Sequence, residues 1–499
     1  MPLLTKHEYQ SIAAALPLPS NAFINGASRP AASGKRFDTS NPATGAVLSS
    51  IAACDARDVD FAVEKAREAF DAGVWRGLHP GERKQTLIKL AKLVKRHARE
   101  LAVMESLDSG KPISDCELID VPEFVHTLIW HAEAIDKLYD QTAPVGNDTM
   151  AMVVREPIGV VAAVLPWNFP LLMLAWKMAP ALAAGCSVIV KPAEQTSLTA
   201  LRIAELAGEA GIPAGVFNVV TGDGPSVGEP LGRHPDIDMV SFTGSTETGR
   251  RFLHYAADSN LKQVVLEMGG KNPCIVMDDA VHLDRVADQV CNGAFWNMGE
   301  NCSAASRLIV HADIKDALLQ RVLERLREWR LGDPLDPTTR LGAMIDAEHF
   351  AKVTGYLKQA THPIAGGQTH GGTHIEPTLV EVDRGDALAR EEIFGPLLSV
   401  ITVDSFDEAI AVANDTQYGL AASLFTSSVK RAMRGARAIQ AGTVTVNCFG
   451  EGDITTPFGG YKQSGFGGRD NSLHAHDQYT ELKTIWLDLS DDDLEGSVD

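Results

Sequence analysis

Residues 157–190, PIGVVAAVLPWNFPLLMLAWKMAPALAAGCSVIV, decide the fold class of this chain. The first part is a valine-rich apolar run that ends at Pro166 and is typical of a buried strand. A helix closes at Ala181–Gly185, and Ser187–Val190 is a second short apolar strand. Strand, helix and strand in this order predict a parallel sheet with helices on its faces.

The same alternation continues toward the C-terminus. A helix over 197–210 precedes a strand at 216–220, and further strands are predicted at 238–242 and 263–266. Residues 270–470 form a second alternating region, which indicates a second α/β domain.

The composition narrows the class of protein. A chain of 499 residues has room for two or three domains, and 45% hydrophobic with 22% charged residues is ordinary for a globular protein. A formal net charge of -20 disfavours nucleic acid and anionic membrane surfaces as partners, because both select basic patches.

The cysteines indicate the compartment. The seven are scattered, without a CxxC pair and without the His/Cys spacing of a zinc site, so we expect reduced thiols and no metal. The N-terminus has early charges and no long apolar segment, so no signal peptide is predicted. These observations together favour a cytoplasmic protein.

Cys302 is the candidate nucleophile. A turn led by Gly299 delivers it just before the apolar run Leu308–Val310, and small residues follow the sulfur, so a substrate has room to approach. A thiolate in such a place attacks electrophilic carbonyls. For a cysteine taken alone, however, a small buried thiol without reactivity is the more common role.

Two further residues are candidates for the chemistry around a thiol. Glu267 precedes Gly269 and Gly270, which leave a carboxylate beside open backbone and suit a general base that acts on water. Asn168 lies between Trp167 and Phe169 after the buried strand, as expected of an amide that stabilises an oxyanion. The alternatives are a surface charge for the glutamate and a turn cap for the asparagine.

The glycine-rich turns after the strands are candidate cofactor loops. Gly244 and Ser245 open a helix whose N-terminal amides are placed to face a pyrophosphate. Lys191 and Glu194 follow a strand end, where α/β sheets bind ligands, and a carboxylate at Glu194 favours ribose hydroxyls over a 2′-phosphate. Tight turns and a solvated charge pair explain the same residues equally simply.

Taken together and in order, these elements resemble the aldehyde dehydrogenase superfamily from about residue 20 to about residue 490. The resemblance rests on eight short stretches: 166–170 (PWNFP), 191–194 (KPAE), 242–249 (FTGSTETG), 266–271 (LEMGGK), 299–307 (GENCSAASR), 391–396 (EEIFGP), 414–420 (NDTQYGL) and 457–465 (PFGGYKQSG).

The resemblance implies a covalent oxidation of an aldehyde. Cys302 is then the nucleophile that forms a thiohemiacetal, and the Asn168 amide with the Cys302 backbone N–H binds its oxyanion. Hydride transfer gives a thioester, and water activated by Glu267 releases the carboxylic acid. Glu300 and Asn301 stand where the family more often has glutamine and a small or apolar residue, so we expect a more polar neighbourhood for the thiol.

The resemblance also implies that the cofactor is NAD. The residues matched to cofactor contacts are Lys191 and Glu194 for the adenosine ribose, Gly244 and Ser245 for the pyrophosphate, Glu392 for the nicotinamide ribose, and Trp167 and Phe394 for the nicotinamide pocket.

The fold implied by the resemblance is an α/β aldehyde dehydrogenase fold with two doubly wound parallel-sheet domains and a small β extension that joins subunits into homodimers or homotetramers. Residues 1–138 and 159–269 are predicted to form the NAD-binding domain and 270–470 the catalytic domain. Residues 139–158 and 471–499 are predicted to form the oligomerisation extension and a C-terminal tail, whose tip we expect to be mobile.

The substrate expected from the resemblance is an aminoaldehyde. Within the superfamily the chain is most similar to bacterial enzymes of polyamine and arginine breakdown, which oxidise ω-amino-, guanidino- and γ-glutamylamino-aldehydes. Asp120, Glu123 and Asp453 are predicted to make the channel mouth acidic and attract a cation, with Phe124 narrowing it, whereas Glu451 is expected to face solvent.

Three alternatives stay open at this stage. A broad-range dehydrogenase of aliphatic or aromatic aldehydes has the same motifs. A CoA-acylating relative is disfavoured because Glu267 supplies a base for hydrolysis. A protein that keeps the fold without the activity is disfavoured by the presence of Cys302, Glu267 and Asn168 together.

Overall fold

A computed structural model describes residues 2–490 of the chain. The acidic stretch from residue 491 to residue 499, part of the predicted tail, lies outside the described residues. Within the described range, no helix is both long and apolar enough to cross a lipid bilayer.

The helices range from single turns to segments of 17 residues. They are α1 (Lys6–Ala15), α2 (Ala56–Asp71), α3 (Pro80–Arg96), α4 (Ala98–Ser109), α5 (Ile113–Asp115), α6 (Val121–Ala134), α7 (Pro170–Ala184), α8 (Leu198–Ala210), α9 (Glu229–Arg233), α10 (Thr246–Ala257), α11 (Leu283–Phe295), α12 (Ala312–Leu326), α13 (Ala347–Leu357), α14 (Ala387–Arg390), α15 (Phe406–Asn414), α16 (Val429–Ala438) and α17 (His474–Asp477).

The strands fall into two large sheets and three small ones. They are β1 (Ala22–Ile24), β2 (Ala27–Arg29), β3 (Arg36–Ser40), β4 (Val47–Ala52), β5 (Gln141–Ala143), β6 (Thr149–Pro157), β7 (Val160–Val164), β8 (Ser187–Lys191), β9 (Phe217–Val219), β10 (Met239–Gly244), β11 (Gln263–Met268), β12 (Pro273–Val276), β13 (Arg307–His311), β14 (Pro363–Ala365), β15 (Thr369–His370), β16 (His374–Ile375), β17 (Thr378–Glu381), β18 (Leu397–Val403), β19 (Ala421–Phe425), β20 (Thr443–Val446), β21 (Gly465–Phe466) and β22 (Thr480–Asp488).

The first large sheet has the order β2-β1-β9-β8-β7-β10-β11-β21, and its five central strands are parallel. Every residue of β7 is buried. Val161 and Ala163 point into one hydrophobic cluster, and Val160, Ala162 and Val164 into another on the opposite face. Strand side chains alternate between faces, so a strand covered on both sides becomes the continuous apolar run seen in the sequence.

The helix α7 follows β7 because the sequence marks both of its ends. Pro170 occupies the first turn, where its fixed φ suits a helix and its missing N–H is not needed. Gly185 ends the helix in the left-handed conformation at φ 108°, which a residue with a Cβ adopts only with strain. The chain then enters β8 beside β7.

The second large sheet has the order β14-β17-β18-β13-β12-β19-β20 and is parallel apart from the edge strand β14. It encloses a separate hydrophobic cluster. The expectation of two doubly wound α/β sheets is confirmed, with antiparallel strands at the edges.

A third sheet is formed by the segments predicted as an extension. The strands β5, β6 and β22 make an antiparallel ribbon in the order β22-β6-β5, in which β22 and β6 pair over nine residues. The division of the chain into domains stays a prediction, and one segment departs from it. The two-residue strand β21, numbered within the predicted catalytic domain, pairs with Leu266–Glu267 at the edge of the first sheet.

The candidate residues lie at the ends of strands of the two large sheets. Asn168, Lys191, Gly244 and Glu267 lie at or just after the carboxyl ends of neighbouring parallel strands of the first sheet, where they share one edge. Cys302 lies a few residues before β13, at the opposing edge of the second sheet.

Candidate active site

Two adjoining cavities contain the candidate cofactor residues. One has a volume of about 330 Å³ and is lined by Lys191, Glu194, Gly244 and Ser245, among others. The second, of about 210 Å³, shares Gly244 and Ser245 with it and reaches Cys302. The arrangement is an elongated cleft that ends at the sulfur.

Asn168 and Cys302 face the same cavity, as the sequence predicts. The Asn168 Nδ2 atom donates a hydrogen bond to the Glu300 carbonyl oxygen over 2.8 Å, and Asn297 Nδ2 donates to the Asn168 carbonyl over 3.0 Å. The Asn272 Nδ2 atom donates to the Cys302 carbonyl oxygen over 2.8 Å. A primary amide has two N–H donors, so one N–H of Asn168 fixes its orientation and the other is available to an oxyanion.

The Cys302 thiol lies in an acidic and poorly hydrated environment. Burial raises its pKa well above the usual value, and the carboxylates of Glu451, Glu267 and Glu392 raise it further because each disfavours a neighbouring thiolate. These surroundings therefore disfavour the thiolate in the protein without ligands.

Glu267 lies across a small cavity of about 20 Å³ from Cys302. Neither of its carboxylate oxygens has a hydrogen-bond partner in the part of the chain that the structure describes. Burial and the nearby Asp470 carboxylate raise the pKa of Glu267 well above its usual value, while Lys177 and Arg469 lower it. A buried carboxylate with a raised pKa accepts protons more strongly than a solvated one, as a general base requires.

Lys191 and Glu194 mark the far end of the cleft. Lys191 is buried at the end of β8, and its Nζ atom lies 3.1 Å from the Pro192 carbonyl oxygen and 3.4 Å from Glu194 Oε2. Burial lowers the pKa of this lysine. The Glu194 side chain remains 46% exposed toward the cleft and solvent, where it is free to accept hydrogen bonds from hydroxyl groups.

The turn between β10 and α10 brings helix amides to the cleft. Ser245 caps the helix, since its Oγ accepts the Thr248 backbone N–H over 3.2 Å. A Cβ on Gly244 would lie 2.6 Å from the Phe242 ring, so a side chain at this position would collide with the ring. The N-terminal end of a 12-residue helix attracts an anion such as a pyrophosphate.

Glu392 supports the middle of the cleft. Its Oε1 atom accepts the Gly270 backbone N–H over 2.9 Å, and burial raises its pKa. A Cβ on Gly269 would lie 2.0 Å from Glu392 Oε2, so the close approach of this carboxylate to the backbone requires glycine. Together with the helix amides and Lys191, this cradle fits a dinucleotide with two riboses and a pyrophosphate.

Aromatic rings enclose the end of the cleft near the thiol. The Trp167 and Phe394 rings make an edge-to-face contact with centroids 5.3 Å apart. Phe394 has a positive φ of 62°, and its carbonyl oxygen lies 2.6 Å from His349 Nε2. His349 also contacts Trp167 at 5.1 Å between ring centroids, so the three rings form one wall of the cavity.

A further cavity adjoins the small cavity at Cys302 through the shared residues Leu172, Trp176 and Glu451. It has a volume of about 330 Å³ and is lined by Glu123, Asp453 and Glu451 together with Trp176, Trp296 and Phe449, among others. The expectation that Glu451 faces solvent is wrong. Its side chain lines both this outer cavity and the small cavity at Cys302.

Asp120 and Phe124 do not line this cavity, contrary to the expectation from the sequence. Asp120 is fully buried, and its Oδ2 lies 2.5 Å from the Nζ atom of the equally buried Lys111. Phe124 is fully buried on α6 in the main hydrophobic cluster. The five-residue π-helical turn Cys116–Asp120 directs Asp120 inward, and α6 then presents Glu123 outward and Phe124 to the core.

Sequence reasoning missed several residues of the site. Lys177 Nζ and Asp470 Oδ2 are both buried and lie 3.6 Å apart beside Glu267. Lys177 sits inside an apolar helix and Asp470 follows a glycine-rich loop, so neither position carries a distinctive pattern. His349 and Lys352 line the cleft from α13, which sequence patterns alone do not bring near β7. The Glu300 side chain lines neither cavity at Cys302 and instead accepts the Ile345 backbone N–H over 3.1 Å.

Comparisons with known proteins agree with this geometry. The sequence profile described as the Aldehyde dehydrogenase family matches residues 29–485. Aminoacetaldehyde dehydrogenase of Pseudomonas aeruginosa is 66% identical over 493 residues, which cover 98% of this chain and 99% of that protein.

Two solved structures superpose closely on this chain. One is gamma-glutamyl-gamma-aminobutyraldehyde dehydrogenase from Burkholderia cenocepacia, with a TM-score of 0.96, 50% identity and coverage of 98% of this chain and 100% of that one. The other is indole-3-acetaldehyde dehydrogenase complexed with NAD+, with a TM-score of 0.96, 49% identity and coverage of 97% and 100%.

The acidic surroundings of the thiol predict a slow, pH-dependent alkylation of Cys302 in the protein without ligands. Because only the thiolate reacts, we expect the rate to rise about tenfold per pH unit from pH 7 to 9 without a plateau. Timed iodoacetamide labelling, with mass spectrometry of the Cys302 peptide, measures this rate, and Cys302→Ser identifies the signal. A rate already independent of pH at pH 8 contradicts the raised thiol pKa.

Proposed function

This chain belongs to the aldehyde dehydrogenase family and oxidises aldehydes with NAD, and we propose that Cys302, Asn168 and Glu267 perform the reaction. The observation that carries the proposal is the placement of all three around one pair of connected cavities. Lys191, Glu194, the turn at Gly244 and Ser245, Glu392 and the pair Trp167 and Phe394 hold the cofactor, which accepts a hydride when bound.

The first chemical step is the attack of the Cys302 thiolate on the aldehyde carbon. A C–S bond forms and the carbonyl oxygen becomes an alkoxide. The Asn168 N–H that does not bind the Glu300 carbonyl is positioned to donate to this oxygen, together with the Cys302 backbone N–H. Loss of hydride from the tetrahedral carbon leaves a thioester on the sulfur.

The second step is hydrolysis of the thioester. The small cavity between Cys302 and Glu267 has room for about one water molecule. Glu267 removes a proton from this water, the hydroxide attacks the thioester carbon, and the thiolate of Cys302 departs as the carboxylic acid forms. Lys177 and Asp470, buried next to Glu267, balance the charge that the glutamate gains and loses.

We further propose an aminoaldehyde as the substrate. Glu123, Asp453 and Glu451 line the cavity on the substrate side, and no Lys or Arg is among its described lining residues. The relative with 66% identity is named for aminoacetaldehyde. An acidic channel attracts a protonated amine and disfavours anionic aldehydes.

A broad-range activity on aromatic aldehydes is the second candidate. Trp176, Trp296 and Phe449 line the same outer cavity and offer stacking surfaces. One structurally similar protein is named for indole-3-acetaldehyde. The two candidates differ in whether a positive charge on the substrate is expected to raise kcat/KM.

We also propose that the chain forms a homodimer or homotetramer with a second copy seated on the ribbon β22-β6-β5. Along β22, Leu482, Ile485, Trp486 and Leu487 are exposed, with Trp486 at 63%. Leu482 and Trp486 share one face of this nine-residue strand, and exposed large apolar side chains on one face are typical of a subunit interface.

Substitution of the two central residues separates the chemical steps. With Cys302→Ala we expect no NADH formation above background. With Glu267→Gln we expect a rapid burst of about one NADH per subunit, followed by turnover reduced about 10²- to 10⁴-fold, because hydride transfer precedes hydrolysis. Stopped-flow absorbance measures both phases, and Glu64→Gln on the surface of α2 is the control. Steady NADH formation by Cys302→Ala contradicts the covalent mechanism.

The substrate proposal predicts a preference of the unaltered enzyme for charged aldehydes. We expect kcat/KM for aminoacetaldehyde to exceed that for propanal, its neutral equivalent in size, by about tenfold or more. The preference should weaken at high salt for longer substrates, whose charge reaches the exposed part of the channel. Higher kcat/KM values for propanal and indole-3-acetaldehyde would favour the broad-range alternative.

The oligomer proposal predicts that a charge on β22 separates the subunits. We expect Trp486→Glu to shift the mass measured by light scattering from two or four chains to one, because burial of an unpaired carboxylate is unfavourable. Val429→Glu, at an exposed position on α16, is the matched control and should not change the mass. A monomeric unaltered protein, or an unchanged mass for Trp486→Glu, contradicts this interface.

A further inference from the structure

We propose that Glu451 is a specificity-determining residue that binds the ammonium group of short aminoaldehydes, and that it makes the enzyme prefer the shortest of them. This inference rests on the proposed aminoaldehyde oxidation and assigns the recognition of the short amines to a single carboxylate. The other acidic residues of the channel then act on longer substrates.

The position of Glu451 is the first argument. The small cavity at Cys302 and the outer cavity share three lining residues, Leu172, Trp176 and Glu451. Leu172 and Trp176 lie on α7 and are apolar surfaces, so Glu451 is the one ionisable group that the described residues place at this junction. An aldehyde that reaches the thiol from the outer cavity has to pass this carboxylate.

The hydrogen bonds of Glu451 leave part of the carboxylate available. The Ser303 hydroxyl bonds to its Oε1 atom. The same hydroxyl lies 2.9 Å from Asn301 Oδ1, which also accepts the Ser303 backbone N–H over 3.0 Å. Within residues 2–490, no hydrogen bond is made to Glu451 Oε2. One oxygen is thus anchored next to the nucleophile, and the other is left for a ligand.

The Asn301 and Ser303 side chains explain why the thiol has polar neighbours. Asn301 Oδ1 accepts the Ser303 backbone N–H, which holds Ser303 in place, and the Ser303 hydroxyl donates its single proton to Glu451. Both side chains therefore serve the Glu451 carboxyl, and both lower its pKa.

The charge balance of the junction points to a cationic ligand. Burial raises the pKa of Glu451, although Ser303 and Asn301 lower it. Neither cavity has a lysine or arginine among its described lining residues. Glu451 is partly buried and has no cation in direct contact among the described residues, so an ammonium group that donates a charge-assisted hydrogen bond would stabilise its charge.

The size of the small cavity sets the chain length. Cys302 and Glu451 both border a space of about 20 Å³, which holds about one water molecule. An amine that contacts Glu451 from within this small cavity is therefore close in the chain to the carbon attacked by the sulfur. In aminoacetaldehyde the nitrogen is two bonds from that carbon, whereas in 4-aminobutyraldehyde it is four bonds away and reaches the outer cavity with Glu123 and Asp453.

The test compares charged and neutral substrates of equal size. We measure kcat/KM for the unaltered enzyme and for three variants, Glu451→Gln, Glu451→Asp and Glu123→Gln. Each enzyme is assayed with two pairs of substrates, aminoacetaldehyde with propanal and 4-aminobutyraldehyde with pentanal. Glu64→Gln, which removes an exposed carboxylate on α2, controls for the change in net charge. NAD binding and the melting temperature establish that each variant is folded.

We expect Glu451→Gln to lower the ratio of aminoacetaldehyde to propanal about 10- to 100-fold, the effect of losing one charge-assisted hydrogen bond. The ratio of 4-aminobutyraldehyde to pentanal should fall less. Glu451→Asp should retain part of the preference because it keeps the charge. Glu123→Gln should affect the longer amine more than the shorter one.

The outcomes separate this inference from the proposed function. If the unaltered enzyme prefers the amines and Glu451→Gln keeps that preference within twofold, the assignment of Glu451 is wrong and aminoaldehyde oxidation stands. If Glu451→Gln lowers activity equally on propanal and aminoacetaldehyde, the residue acts on the thiol rather than on the ammonium group, which also overturns the inference. No preference in the unaltered enzyme overturns the proposed substrate itself.

Discussion

The hydrogen bond from Asn168 Nδ2 to the Glu300 carbonyl oxygen is the interaction on which the site depends. Its 2.8 Å length links the turn after β7 in the first sheet to the loop that presents Cys302 before β13 in the second. The Gly270 N–H to Glu392 Oε1 bond makes a second link between the same edges. Each bond joins a side chain of one sheet's region to the backbone of the other, so together they hold Asn168 and the Cys302 loop at a fixed spacing.

A second constraint is the concentration of carboxylates around one thiol. Glu267, Glu392 and Glu451 each raise the pKa of Cys302, and each has its own pKa raised by burial. Buried charges of one sign are unfavourable, and the fold tolerates them because their environments differ. Glu392 accepts a backbone N–H, Glu451 a hydroxyl, and Glu267 has the buried Lys177 nearby. Each carboxylate is therefore suited to a different ligand.

The fold was predictable from the sequence, as was the gathering of Asn168, Glu267 and Cys302 around shared cavities, whereas the orientation of the channel residues was not. A strand that is buried on both faces needs apolar residues throughout, and β7 shows this as an apolar run. The short motifs around Asn168, Glu267 and Cys302 are local in the sequence, so they are recognisable without knowledge of distant contacts. Asp120 is expected in the channel but is buried, because a π-helical turn directs it to Lys111. Glu451 is expected at the surface but lines the channel, because a contact with Ser303 holds it there. Contacts between distant segments decide both cases, and such contacts leave no local pattern.

The electrostatics of the thiol connect the two ends of the site. In the protein without ligands, burial and three carboxylates raise the pKa of Cys302, which protects the sulfur from oxidation and alkylation. Under the proposed function, the oxidised nicotinamide and an ammonium group at Glu451 would each bring a positive charge to this acidic neighbourhood, and each charge would favour the thiolate. The same carboxylates that raise the pKa of the free thiol would then bind the cationic ligands that activate it.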